Sequence, residues 1–300
     1  MANRIDKKDL FRWCSIPAEN LVDHPESKVK VRMYDEKSEV FRRIADLMVE
    51  EVKQKNQQGM PTRWVLPAGP LDQYLYFIER VNREKISLRN LWVFHMDDFL
   101  DWQSRPFPVV DTYESLEGTM LHRFYEKIDP ELNVPLEQRV WPRVSDLDYL
   151  DNKVNELGGI DTVWAGVGYK GLVAFCEAPR SPYYSITEEE YAQSKTRVVH
   201  LNEDTLVALS QRSWGGLSEG VPPMAVTIGF KSMLTAKRAV FMITTGDWKK
   251  TIIRIIMFSE PTVEYPVTLF PQHIPEVILF CDKNTAQPPN RGQSKLIMEE

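Results

Sequence analysis

The sequence predicts an α/β fold: a single Rossmann-like three-layer domain, with a mostly parallel sheet and helices on both faces. Three observations lead there. Short apolar, β-rich runs alternate with longer stretches of helical periodicity, which implies right-handed crossovers between parallel strands. Two of the runs stop at turn-forming residues: 63–66 at Pro67, Ala68, Gly69 and Pro70, and Thr162–Ala165 at a turn through Gly166, Gly168 and Gly171. Finally, no internal repeat, heptad array or linker divides the 300 residues. A strand ending in glycines is where an open α/β sheet places a ligand, because glycines let backbone N–H groups approach an anion closely. On its own, a tight structural turn explains the same glycines.

In chain order, residues 1–30 read as a polar extension that packs across the surface or reaches a neighbouring subunit. KVKVRM (28–33) alternates like a short edge strand. Residues 38–57 carry one apolar stripe, from Val40 to Val52, and predict a helix. A second helix follows the strand at 63–66, with Leu71, Tyr74, Leu75, Ile78 and Val81 on its face. The strand 91–96 delivers Asp97 and Asp98 at its carboxyl end. Helices are expected over 112–128 and over 145–157, the latter with Ser145 and Asp148 as a capping box. The polar segment 179–195 reads as a long loop, a lid or a surface insertion, with a short helix signalled by Ser185 and Glu188. Residues 203–212 and 246–258 read as helices, and 225–229, 239–244 and 277–281 as core strands. The domain is expected over 31–285, with a polar tail at 286–300.

Composition removes several function classes. A net charge of −6 argues against sequence-independent nucleic-acid binding. No apolar run approaches the roughly 20 residues that span a bilayer, and the N-terminus lacks the apolar centre of a signal peptide. Cys14, Cys176 and Cys281 are scattered and odd in number, with no metal spacing, so a reducing cytoplasm is the expected setting.

Two stretches carry the chemistry. FHMDDFLDW (94–102) places adjacent carboxylates at a strand end, where mutual repulsion raises one pKa toward proton-transfer range. Neighbouring strand residues point to opposite faces, so one of the two, Asp97, is expected to face a pocket. On spacing alone, a cap or loop acid is the plainer reading. GVGYKGLVAFCEAP (166–179) adds Lys170 and Glu177. Together these stretches resemble the glucosamine-6-phosphate deaminase/isomerase family, which shares its fold with the 6-phosphogluconolactonases. The family motif has the form G-V-G-x-D-G-H-I-A-F-N-E-P, with N-M-D-E-Y upstream. In this chain Lys170 stands at the motif Asp, Leu172 at its His and Cys176 at its Asn.

The resemblance implies a general base at Asp97, which would move a proton between C1 and C2 of an open-chain sugar, with Glu177 as acidic partner. Asp98 and Lys170 are secondary candidates, and the simplest role for Lys170 is to neutralise Asp97 or Glu177. Leu172 cannot perform the ring-opening role of the family's His. LPAGPLDQY (66–74) resembles the phosphate loop, so Gly69 is expected at the anion. Lys249, in TGDWK (245–249), matches the phosphate lysine, and Arg212 lies beside the position of the phosphate arginine. Arg197 matches an allosteric arginine whose lysine partner is Val199 here, so no allosteric site is expected. The pocket loop is Gly166, Gly168 and Gly171. The implied function is a divergent sugar-phosphate isomerase/deaminase of carbohydrate metabolism, a hydrolase, or a non-catalytic sugar-phosphate sensor or partner subunit on the same scaffold. No metal or organic cofactor is required, because acid, base and an oxyanion partner suffice. The partner expected is a small sugar phosphate, with no nucleic acid or membrane, and the assembly a homo-oligomer.

Overall fold

The computed structural model describes residues 4–181 and 183–289. Helix α1 (Lys7–Cys14) opens the chain, followed by β1 (Lys30–Tyr34) and the long α2 (Lys37–Gln57). Then come β2 (Thr62–Leu66), α3 (Asp72–Glu84), β3 (Leu91–His95) and β4 (Asp97–Leu100). Next are α4 (Leu116–Arg123), β5 (Arg139–Val140), α5 (Asp148–Glu156) and β6 (Thr162–Gly166). The second half runs α6 (Glu188–Ala192), β7 (Arg197–His200), α7 (Glu203–Ser213), β8 (Met224–Thr227) and α8 (Phe230–Met233). It continues through β9 (Arg238–Ile243), α9 (Lys250–Phe258) and β10 (Glu276–Asp282).

Seven strands form one wholly parallel sheet in the order β1-β10-β9-β6-β2-β3-β5. Period-two alternation along the strands feeds two cores. Trp64, Val93, Trp164 and Val240 point toward α2, α3 and α4. Val65, Phe94, Val163 and Phe241 point toward α1, α5, α8 and α9. Because α9 is covered by α1 on its outer side, Ile252, Ile253, Ile255 and Ile256 are all buried, and so is Arg254, whose guanidinium donates to the backbone carbonyls of Lys250 and Ala286.

The strand order reverses between β2 and β6: the chain after β2 moves toward β5, and the chain after β6 moves toward β1. The carboxyl ends of these two strands therefore splay at a switch point, and their loops are the Gly69 loop and the Gly166–Gly171 loop. The loops abut. A Cβ on Gly166 would lie 2.7 Å from Cδ of Pro70, so a side chain there would force them apart.

Several expectations change. The 225–229 run is not a strand of the main sheet: β8 is the centre of a separate antiparallel sheet, β4-β8-β7. Leu75 is 66% exposed, and the buried face of α3 is Tyr74, Phe77, Ile78 and Val81. The Ser145 capping box does not form; α5 starts at Asp148 with no side-chain cap. The capping box in the 179–195 segment is Thr187 with Glu190, two residues beyond the Ser185 pair. The described part of the extension, residues 4–30, is more than a surface arm, since Trp13, Ala18 and Leu21 are buried in the core beside α9. At the other end Ala286 is also buried, and the tail from 290 lies outside the described residues.

Candidate active site

The small sheet sets the acid pair. Asp97 of β4, Thr227 of β8 and Arg197 of β7 are in direct cross-strand register, so they share one face. Asp98 points to the other face. Its carboxylate accepts from the backbone N–H of Leu116 (2.7 Å) and Phe99 (2.9 Å), which ties it to the first turn of α4. Burial pushes Asp98 up to about 7, against those two hydrogen bonds. The carboxyl of Asp97 is buried, receives no hydrogen bond among the described residues, and is pushed up to about 8 by burial and by the charge of Asp98. A carboxyl in that state exchanges a proton near neutral pH.

The motif segment lies across the Asp97 face. Thr227 Oγ1 accepts from the backbone N–H of Phe175 (3.1 Å), and Phe175 packs on Phe99. The turn is tight: Cys176 N–H donates to Val173 O (3.1 Å), and Ala174 sits at φ 53°, a left-handed conformation that costs a non-glycine residue about 1–2 kcal/mol. Cys176 is buried and donates to Ile228 O (3.1 Å); burial raises its thiol pKa, so it packs rather than attacks. Arg197 completes the row and donates to Tyr191 Oη (3.3 Å) and Lys195 O (3.2 Å).

Glu177 is engaged in capping. It accepts from the N–H of Asn202 (2.7 Å) and from the Thr205 hydroxyl, at the start of α7, whose own N-cap side chain makes no capping bond. Burial raises the pKa of Glu177, opposed by these hydrogen bonds. Lys170 neutralises neither carboxylate. Its amine donates to Tyr265 Oη (3.5 Å) and lies 5.1 Å from that ring's centre, because the loop turns it toward the Tyr265 segment. Gly171 fixes this path: its φ is 77°, a Cβ would lie 3.0 Å from Cα of Tyr265, and its carbonyl accepts from Val267 N–H (2.8 Å). Leu172 folds over Gly168, where a Cβ would come within 2.4 Å of the leucine Cγ. His95 is turned away, stacked on Trp141 with centroids 3.6 Å apart and bonded to Tyr125 Oη (2.7 Å). His200 is exposed.

Lys249 and the Gly69 loop meet at the switch point, while Arg212 is exposed near the end of α7. Lys249 is buried and donates from Nζ to Val167 O, in the glycine loop itself. Its pKa is pushed down to about 7 by burial and by the nearby positive charge of Arg212. Among the described residues, neither cation has a carboxylate within ion-pair distance. Gly69 is exposed and faces open space, and Asp72 is exposed in the first turn of α3. Sequence reasoning missed Thr205 and Thr227, whose roles depend on contacts across 28 and 52 positions of chain.

A chain with this topology, acid and glycine loop matches known proteins. It is 30% identical over 223 residues to human glucosamine-6-phosphate deaminase 2, covering 73% of this chain and 74% of that protein. The chain belongs to the glucosamine-6-phosphate deaminase family. A second member, from Thermoanaerobacter pseudethanolicus, is 26% identical over 255 residues, 83% of this chain and 90% of that one. Among solved structures, a monomeric glucosamine-6-phosphate deaminase superposes with TM-score 0.72 at 22% identity, covering 86% of this chain and 99% of that chain. The 6-phosphogluconolactonase of Trypanosoma cruzi gives TM-score 0.62 at 18% identity, covering 88% and 98%. These two likenesses concern the fold. No protein-family model matches the chain. Among the described residues, no helix is long and apolar enough to cross a membrane.

Proposed function

We propose that this member of the family binds a sugar phosphate at the β2/β6 switch point, with Asp97 as the proton-transferring carboxylate. The observation that carries the reading is Lys249, a buried amine set against the glycine loop with no carboxylate within ion-pair distance among the described residues. A buried ammonium without a carboxylate is destabilised, more so in the positive field of Arg212, and an anion beside it relieves that cost. The Gly69 loop, which abuts the glycine loop that Lys249 bonds, offers open backbone, whereas the N–H groups of Gly168 and Gly171 are bonded within their own loop. The phosphate anchors the ligand, and the Asp97 face receives its carbonyl end. Glu177 serves through α7: by capping the helix that bears Arg212, it positions the arginine. Leu172 replaces a proton-handling side chain with an apolar one, so the chemistry suits a sugar that is already open.

A non-catalytic sugar-phosphate sensor is favoured by one observation, the commitment of Glu177 to the α7 cap. Thermal stabilisation by hexose and hexosamine 6-phosphates, 6-phosphogluconate and the free sugars tests the binding. A ligand at 100 times its Kd adds about 2.7 kcal/mol. A shift with the phosphates alone supports the reading, and no shift with any phosphate sinks it. Ammonia release or isomerisation, lost in Asp97→Asn while binding persists, separates enzyme from sensor. The three cysteines are buried and none is in a disulfide, which suits a reducing cytoplasm. The reading retains a homo-oligomer, which a light-scattering mass of one chain would remove.

A further inference from the structure

A concavity lies at the β5 edge of the sheet, between the end of α4 and β5. It is a groove of ≈ 590 Å³, within the range of small-molecule sites. Pro130, Pro135 and Leu136 form its apolar side, and Leu136 is 76% exposed. Arg89, Tyr125 and Arg139 form its polar side. The Arg139 guanidinium lies 3.9 Å from the centre of the Tyr125 ring and donates from Nε (3.0 Å) and Nη2 (2.7 Å) to one acceptor, Val134 O. That arrangement fixes the guanidinium plane and leaves its Nη1 edge for a ligand. Arg89 is exposed and donates from Nε to Glu131 O (3.2 Å). Among the described residues, neither arginine has a carboxylate within ion-pair distance. Of the two acids on the wall, Glu126 is paired with His122 (2.8 Å), and Glu137 is exposed at the rim.

We propose that this groove binds a small organic anion, one carboxylate or phosphate on a flat apolar body, with the charge between Arg89 and Arg139. Two guanidiniums offer forked donors to such a head group, and the proline and leucine side covers its body. The groove is wired to the acid pair by two routes. The Tyr125 hydroxyl bonds His95, two residues before Asp97, and the His95 Nδ1 atom is buried without a partner. Asp98 holds the first turn of α4, whose far end leads into Tyr125. The proposal does not rest on the sugar-phosphate reading.

Calorimetric titration of the full chain with phenyl phosphate, benzoate and the neutral benzyl alcohol tests it. The expected result is saturable binding of an anion and none of the alcohol, with affinity reduced about tenfold or more in both Arg89→Ala and Arg139→Ala. Lys249→Met should leave that binding unchanged. Binding of phenyl phosphate alone assigns a phosphate site, and binding of benzoate assigns a carboxylate site. Unaltered affinity in Arg89→Ala, an exposed position whose loss leaves the fold intact, overturns the proposal. So do equal binding of benzyl alcohol, saturation by neither anion, and loss of anion binding in Lys249→Met, which moves the anion to the switch-point crevice.

Discussion

Removing the Asp97 charge should stabilise the protein, by an amount that grows with pH. The folded-state pKa is about 8 against an ordinary 3.8, so the native state keeps a proton that the unfolded chain loses. A carboxyl shifted upward contributes stability that is full below the unfolded value and is lost as pH rises toward the folded value. Each unit is about 1.36 kcal/mol. At pH 4 the two states barely differ. By pH 7 the deficit is about 4 kcal/mol, and above pH 8 it approaches about 6 kcal/mol. Asp97→Asn keeps the shape and cannot ionise, so it should be about as stable as the wild type at pH 4 and about 4 kcal/mol more stable at pH 7. Lys249 runs the other way, its amine being lowered to about 7, and Asp98 adds its own slope. Lys249 is common to the two proteins and cancels in the difference, whereas Asp98, whose charge helps raise Asp97, titrates with it, so the difference reports the acid pair with Asp97 leading. Equilibrium urea unfolding of the pair from pH 4 to pH 9 is the assay. A constant difference across that range, or a less stable Asn variant at pH 8, would falsify the desolvated carboxyl.

Further outcomes follow from the same geometry. If Asp97 acts as ionised base and Lys249 as charged anchor, kcat/KM should trace a narrow bell centred between about 7 and 8, and Lys249→Met should remove its alkaline limb. Lys249→Met should also weaken sugar-phosphate binding by roughly tenfold or more while leaving free-sugar binding alone, measured by calorimetry. Glu177→Gln should cost about 1 kcal/mol through the α7 cap and loosen that helix in hydrogen exchange; unchanged protection would remove the capping role. Gly171→Ala, strained by φ 77° and by Tyr265 at 3.0 Å, should lower stability by about 1–2 kcal/mol, read from the urea midpoint.

Much of the fold was legible because periodicity reports burial directly. The stripe from Val40 to Val52 became α2, and the apolar runs became β2, β3, β6, β9 and β10 within a residue or two. Leu75 was misplaced because a helical stripe has edges, and only the neighbouring layer decides where they fall. The 225–229 run misled for a related reason. A strand buried on both faces reads the same in a parallel main sheet and in the centre of a small antiparallel one, and pairing partners are not written locally.

The site divides the same way. Sequence alone determined which residue types are available: two adjacent acids, a glycine loop that carries Lys170 and Leu172, and a lysine after β9. It also determined that only one of Asp97 and Asp98 could face a given side, because successive strand residues alternate. Tertiary structure decided what each is for. Asp98 became a helix anchor because α4 begins beside it, and Glu177 became a cap because α7 lacks one of its own. Lys170 went to Tyr265 because Gly171 turns the loop that way. Lys249 reached the glycine loop because the turn after β9 ends beside it, where the amine donates to Val167 O. Charge and shape are local properties of a chain, but desolvation and partnership belong to the packed molecule, and the chemistry of this site depends on the latter.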